Sequence, residues 1–188
     1  MENNQIWDKL LTVIISLKKD IDRIEKIDNF FQDETCEKVP EIIIPKKYKQ
    51  LVHKIVNSIN ARHVCFVNTD TFEVEDIPQK LLNNPSLFDE TSDLYVDYSD
   101  MKYKKWKEYI KIEPIEPHFL FQVMELFVEK MQDSAVKKKL KNVLDNENPF
   151  AKFKQIVNNS DFQQDWVDFQ LANLRRYVYY LLKDYIDL

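Results

Sequence analysis

The stretch VCFVNTDTFEVEDI, residues 64–77, decides the fold that we expect for this chain. Two apolar-rich runs, Val64–Val67 and Phe72–Ile77, flank a polar tetrapeptide at residues 68–71. That arrangement predicts a β-hairpin whose turn uses Asn and Asp where glycine is common. A further short apolar run at Tyr109–Ile112 predicts a third strand, so the middle of the chain should form a small antiparallel sheet.

Helical spacing fills the last third of the chain. Pro117 and Pro149 stand where proline opens a helix, and Ser160 with Gln163 predicts a capping box for the final helix. We expect an α+β fold: a three-stranded sheet flanked by helices, with a C-terminal helical half and a long N-terminal helix. Four aromatic residues of this half fall at core spacing and are interpreted as packing, with a binding groove as the alternative: Phe150, Phe153, Trp166 and Phe169.

The long N-terminal helix is predicted over about residues 6–31. Its apolar residues recur at spacings of three and four and therefore share one face. This apolar stripe consists of Trp7, Leu10, Ile14, Leu17, Ile21 and Ile24. Asp28 takes the next stripe position, and a parallel homodimer would bring Asp20 close to Glu25, which repels it. We expect the helix to pack against its own domain, with a partner helix or self-association as the alternative.

The 188 residues are expected to form a single domain in three parts: a helical extension at 1–40, an α+β part at 41–113 and a helical part at 114–188. The longest apolar stretch near the start falls short of the roughly 20 residues that span a bilayer, and no cleavable leader pattern precedes it. We therefore expect a cytoplasmic protein without membrane contact.

Glycine is absent from the sequence, where average usage of about 7% would give roughly 13 residues. Backbone that cradles a phosphate or turns sharply at a nucleophile needs glycine. This absence excludes the Walker A loop, the dinucleotide-binding fingerprint, the kinase glycine loop and the hydrolase nucleophile elbow. No cofactor is expected.

Segments spread along the chain carry a family resemblance. They are VCFVN and EVEDIP of the hairpin, IKIEP at 110–114, FQVMELFV at 121–128 and NPFAKFK at 148–154, followed by Trp166 and Phe169. Together these segments, spread over about residues 48–185, resemble a bacterial family called uncharacterised protein family 0158. The resemblance implies a fold and a bacterial, cytoplasmic setting but no activity, cofactor or catalytic residue. The family often has glycine in the hairpin turn, where this chain has Thr71-Phe72.

Two basic clusters are candidate binding surfaces for nucleic acid. The first mixes cations with a ring that is able to stack on a base: Lys102, Lys104, Lys105, Trp106 and Lys107. The second cluster, Lys137–Lys141, lies on a predicted short helix. The net charge of -5 opposes nucleic-acid binding, so we interpret both clusters as solvated faces and keep nucleic acid as the alternative.

Acidic residues concentrate between positions 70 and 100, where nine Asp or Glu residues accompany a single base, Lys80. We interpret this acidic segment as a solvated loop. A divalent-metal hydrolase is the alternative, although the acids show no ligand-type spacing.

The two cysteines, Cys36 and Cys65, give neither a disulfide framework nor metal-ligand spacing, so no metal site is expected. His63 lies two positions before Cys65 on a predicted strand and hence on the same face, which allows a Cys–His nucleophile. A buried, inert Cys65 is the expectation. A dispersed site, such as His118 with neighbouring acids, is a further alternative that sequence order does not reveal.

These observations favour a non-enzymatic interaction or regulatory protein, with the N-terminal helix and the acidic segment as contact surfaces. A protein partner or self-association through that helix is the alternative to packing within its own domain. The alternatives are a nucleic-acid-associated protein that uses Lys102–Lys107 and Lys137–Lys141, and an enzyme with a dispersed site.

Overall fold

A computed structural model describes residues 2–32, 44–83, 109–183 and 185 of the chain. In these ranges the chain forms seven helices and one three-stranded sheet. The predicted α+β class is therefore confirmed. The chain divides into two compact units, residues 1–41 and 42–188.

The first unit contains helix α1, Glu2–Gln32, which is 31 residues long. At 1.5 Å per residue this helix extends about 46 Å. It contains the whole of the helix that the 3–4 spacing predicts. On its polar side, Nη1 of Arg23 lies 3.7 Å from a carboxylate oxygen of Asp20, one turn earlier.

The first part of the second unit contains the three strands of the sheet and two helices. Its elements are α2 (Lys46–Asn60), β1 (His63–Asn68), β2 (Val74–Pro78), α3 (Gln79–Asn83) and β3 (Tyr109–Ile112). Strand β1 lies in the centre and pairs antiparallel with both neighbours, so that Phe66 stands between Glu75 and Lys111. β1 and β3 lie where the sequence predicts them, whereas β2 begins at Val74, two residues after the start of the predicted run at Phe72.

The hairpin turn is built without glycine. Oδ1 of Asn68 accepts hydrogen bonds from the backbone N–H groups of Asp70 and Thr71, at 2.8 and 3.0 Å. Phe72 follows in the left-handed region with φ of 58°. This conformation costs a non-glycine residue about 1 kcal/mol or more, and an edge-to-face contact with Tyr48, with 5.4 Å between ring centroids, offsets part of that cost.

Four helices form the C-terminal half: α4 (Pro117–Lys130), α5 (Ala135–Leu144), α6 (Pro149–Asn158) and α7 (Gln163–Leu182). Their apolar faces meet in a core that contains Met124, Phe127, Val128, Met131, Leu140, Phe153 and Val157. Trp166 packs against this core, with its ring 4.8 Å from Phe153 and 5.2 Å from Phe127 between centroids. The aromatic spacing therefore corresponds to packing, as predicted, while Phe150 is 40% exposed at the edge.

The predicted capping box at Ser160 is wrong. Helix α7 begins at Gln163 with Phe162 as its N-cap residue, so Gln163 is the first helical residue and not the third. The Ser160 hydroxyl instead donates a hydrogen bond to the carbonyl of Val157, at 2.8 Å. The same hydroxyl accepts a hydrogen bond from the backbone N–H of Phe162, at 3.3 Å, so Ser160 links the end of α6 to the N-cap residue of α7 without forming a capping box.

None of the helices that the structure describes is both long enough and apolar enough to cross a membrane.

Candidate interaction surface

The apolar stripe of α1 is the most unusual surface among the described residues. Ile14, Leu17, Ile21 and Ile24, the stripe members with described side chains, are 59%, 56%, 55% and 45% exposed. A single exposed aliphatic residue is ordinary, but a row of them on one helix face marks a site of association. The stripe is therefore a candidate surface for a partner helix.

One neighbouring side chain widens this surface. Val13 adjoins the stripe and is 54% exposed, whereas Ile15, which is 49% exposed, lies nearer to Lys19 on the other side of α1. Phe30 is buried on the opposite side of α1, whereas the buried Ile27 lies one turn beyond Ile24 and adjoins the C-terminal end of the stripe. The exposed apolar face therefore runs over residues 13–24.

Of the two predicted basic clusters, only the second lies within the described residues. Lys102, Lys104, Lys105, Trp106 and Lys107 lie outside the described residues. In the second cluster, Nζ of Lys137 donates hydrogen bonds to the carbonyls of Glu129 and Met131, at 3.0 and 2.7 Å. These carbonyls end helix α4, so Lys137 caps that helix and its ammonium group is already bonded to protein.

The remaining lysines of the second cluster point to solvent. Lys138 lies 3.9 Å from a carboxylate oxygen of Asp133, and both side chains are exposed. Lys139 and Lys141 are exposed as well. This pattern corresponds to the solvated face that the sequence predicts.

Most of the acidic segment, including every acid from Asp89 onward, lies outside the described residues. Within the described part, Asp76 pairs with His63, whose Nδ1 lies 2.6 Å from Oδ2 of the carboxylate. Both side chains are about 30% exposed. Asp70 and Glu73 are exposed in and beside the hairpin turn.

The Cys65 side chain is buried in the central strand, as predicted. Burial raises the pKa of its thiol to about 12, although a hydrogen bond with Ser58 acts in the opposite direction. A nucleophilic cysteine needs a lowered pKa, because the thiolate is the reactive form. The structure therefore does not support a Cys–His nucleophile. The His63 ring pairs with Asp76 and not with Cys65.

His118 does lie near acids. Its ring is 3.1 Å from the side-chain amide of Gln122 in the next turn of α4. Desolvation and the negative charge of Glu129 raise the pKa of Glu125, whereas His118 lowers it. Among the described residues, no three His, Cys, Asp or Glu side chains are placed to hold a metal ion.

Sequence reasoning missed the pairing of His63 with Asp76, although the signal was present. The hairpin turn sets the register, and this register pairs Cys65 with Asp76. His63 lies two residues earlier on the same face of β1, so its side chain reaches Asp76 diagonally across the strands.

A family model matches residues 89–186, which is just over half of the chain. The matched range contains β3 and helices α4 to α7, and it leaves out the hairpin segments. No curated protein and no solved structure matched the chain. The chain belongs to the uncharacterised protein family UPF0158.

Proposed function

We propose that this protein is a non-enzymatic interaction or regulatory protein that binds a partner helix through the apolar stripe of α1. One observation carries the proposal: Ile14, Leu17, Ile21 and Ile24 lie on one helix face and are each about half exposed.

Leaving this apolar face of α1 in water is unfavourable. Full burial of an Ile or Leu side chain contributes about 1.5–3 kcal/mol, and these side chains have roughly half of that still to gain. An amphipathic helix gains it by laying its apolar face against another helix or into a groove. The stripe is therefore suited to helix-mediated association.

Two further observations support a non-enzymatic role. The absence of glycine excludes the nucleotide-binding and nucleophile-elbow motifs. The raised pKa of Cys65 removes the one nucleophile that the sequence places beside a histidine. The acidic segment at residues 70–100 is the second proposed contact surface, because its charge is unbalanced in the sequence.

Affinity purification of the full chain under gentle conditions tests the proposal. The test variant is Ile14→Ser/Ile21→Ser, which removes two stripe residues. Lys19→Ser/Lys26→Ser is the matched control, because these exposed lysines lie on the opposite face of the same helix. Circular dichroism checks that both variants keep their helical content.

The proposal predicts that a stoichiometric polypeptide, either another protein or a differently tagged copy of this chain, accompanies the wild type and the lysine control. It also predicts that this polypeptide is lost from the stripe variant. Recovery of all three proteins alone would contradict the proposal, and so would a polypeptide that stays bound to the stripe variant.

A further inference from the structure

We infer that the helix that covers the stripe is α1 of a second copy of this chain, running antiparallel and centred between Ile15 and Ser16. This inference rests on the proposed function, since it names the partner of the same surface.

The spacing of the stripe is that of a coiled-coil seam. Its six members follow one another at intervals of three, four, three, four and three residues. This places Ile14 and Ile21 at a positions of a heptad and Leu17 and Ile24 at d positions. Side chains at these positions interdigitate with those of a second helix that has the same spacing, and a copy of α1 has it by definition.

A parallel, in-register pair is disfavoured by charge. It would place Asp28 of one chain, an a position, directly against Asp28 of the partner copy inside the seam. It would also oppose Asp20, a g position, to Glu25 of the partner copy, an e position. The first contact brings like charges together inside the seam, and the second brings them together along its edge.

In an antiparallel pair centred between Ile15 and Ser16, the stripe of one chain packs against the stripe of the partner copy. Each residue at an a position then lies opposite a residue at a d position of the partner copy, and the two residue numbers sum to 31. Trp7 lies opposite Ile24 of the partner copy, Leu10 opposite Ile21, and Ile14 opposite Leu17. All six layers are apolar, and Asp28 falls beyond the paired region.

The flanking positions agree with this register. In an antiparallel pair the g positions face each other and the e positions face each other. Asp20 then lies opposite Val13 of the partner copy, and Lys18 lies opposite position 11, which is a leucine. No pair of like charges is opposed, whereas the parallel pair opposes two.

The paired region has a sufficient length. The stripe extends over 18 residues from Trp7 to Ile24, or about 27 Å of helix. The two copies would therefore share five turns, and the exposed residues 13–24 lie within them.

Disulfide trapping in the full chain tests the orientation. Leu10→Cys and Ile21→Cys are made separately in a Cys36→Ser background, which leaves Cys65 as the remaining native thiol, buried in β1. The antiparallel pair places residue 10 against residue 21 of the partner copy. It separates two copies of residue 10, or of residue 21, by 11 residues, about 16 Å along the axis, which is beyond the roughly 7 Å that a disulfide spans.

The inference predicts that an equimolar mixture of the two variants, refolded together and oxidised, gives a crosslinked dimer, and that each variant alone gives almost none. Crosslinking of each variant alone, but not between them, would show a parallel pair and overturn the inference while leaving the proposed function in place. A mass of one chain at every concentration tested would also overturn the inference. In that case the affinity purification described above still decides the proposed function, because it detects a partner of another sequence.

Discussion

Helices α1 and α4 both carry apolar residues at helical spacing, but these residues differ in their exposure to solvent. In α4, Phe119 and Val123 are fully buried, because the neighbouring helices cover that face. In α1, Ile14 and Leu17 are more than half exposed. The difference teaches that spacing determines which residues share a face, whereas the partner of that face depends on the rest of the fold or on another chain.

The largest effect on the free energy of unfolding is expected when a leucine is truncated to alanine in the C-terminal core, compared with the same substitution in the stripe of α1. Leu140→Ala removes a fully buried side chain from the C-terminal core, so we expect a loss of about 2–5 kcal/mol in the free energy of unfolding. Leu17→Ala truncates a residue that is 56% exposed, and at a concentration that keeps the chain monomeric we expect a loss of about 0.5 kcal/mol or less.

Urea unfolding followed by circular dichroism gives both values. Equal losses at the two positions would contradict the contrast, and a large loss at Leu17 would mean that the stripe packs within its own chain.

The second test compares thiols in the two regions. Because Cys65 is buried and its pKa is raised to about 12, a thiol reagent should not modify it in the folded protein. A cysteine introduced by Lys19→Cys, on the exposed face of α1, should react at the rate of a free thiol. Mass spectrometry in a Cys36→Ser background measures both rates, and fast modification of Cys65 would contradict its placement in the core.

The same thiol gives a pH dependence of stability. Its pKa is raised from 9.0 to about 12 on folding, so the unfolded chain releases this proton first as the pH rises. The contribution of the protonated Cys65 thiol to the free energy of unfolding is complete below pH 9 and is lost progressively between pH 9 and 12. We expect Cys65→Val to reduce the pH dependence in urea unfolding experiments but not to abolish it, because burial also raises the pKa of Tyr179. A pH dependence that persists unchanged in the variant would contradict the contribution of Cys65.

A smaller effect is expected where a lysine caps a helix. Lys137→Met removes the two hydrogen bonds from its ammonium group to the end of α4, and we expect a loss of about 1 kcal/mol. Lys139→Met, on the exposed face of the same helix α5, is the control and should change the free energy of unfolding by about 0.5 kcal/mol or less. Equal effects in thermal unfolding would mean that Lys137 does not act as a cap.

The smallest effect is expected at the hairpin turn. Phe72→Ala removes the contact with the Tyr48 ring and keeps the unfavourable left-handed conformation. Phe72→Gly removes the same contact but relieves the conformation, so it should be more stable than Phe72→Ala by about 1 kcal/mol. Urea unfolding of the two variants checks the order, and a less stable glycine variant would contradict the left-handed assignment.

Much of the fold was predictable because its signals are local. The alternating hairpin residues and the prolines at 117 and 149 act on their immediate neighbours, and helices α4 and α6 begin at these two prolines. The capping box predicted at Ser160 was wrong because the Ser160 hydroxyl bonds the carbonyl of Val157 and the N–H of Phe162 in the turn between α6 and α7, and α7 begins only at Gln163. The spacing of Ser160 and Gln163 does not show where that turn ends.

The candidate site was less predictable for a different reason. The stripe of α1 is visible as a pattern, but its exposure depends on which surfaces the folded chain leaves uncovered. The hydrogen bonds of Lys137 and the pairing of His63 with Asp76 join residues that the fold brings together over 6 to 13 positions. Such contacts follow from register and helix packing, so composition and charge alone misassign these residues.

The measurement that tests the account most directly is the molar mass in solution, by light scattering over a range of concentrations. The wild type and the Lys19→Ser/Lys26→Ser control should reach twice the mass of one chain, and Ile14→Ser/Ile21→Ser should keep the mass of a single chain while retaining its helical content. A wild type that stays at the mass of one chain throughout, or a stripe variant that still doubles, would contradict self-association through the stripe.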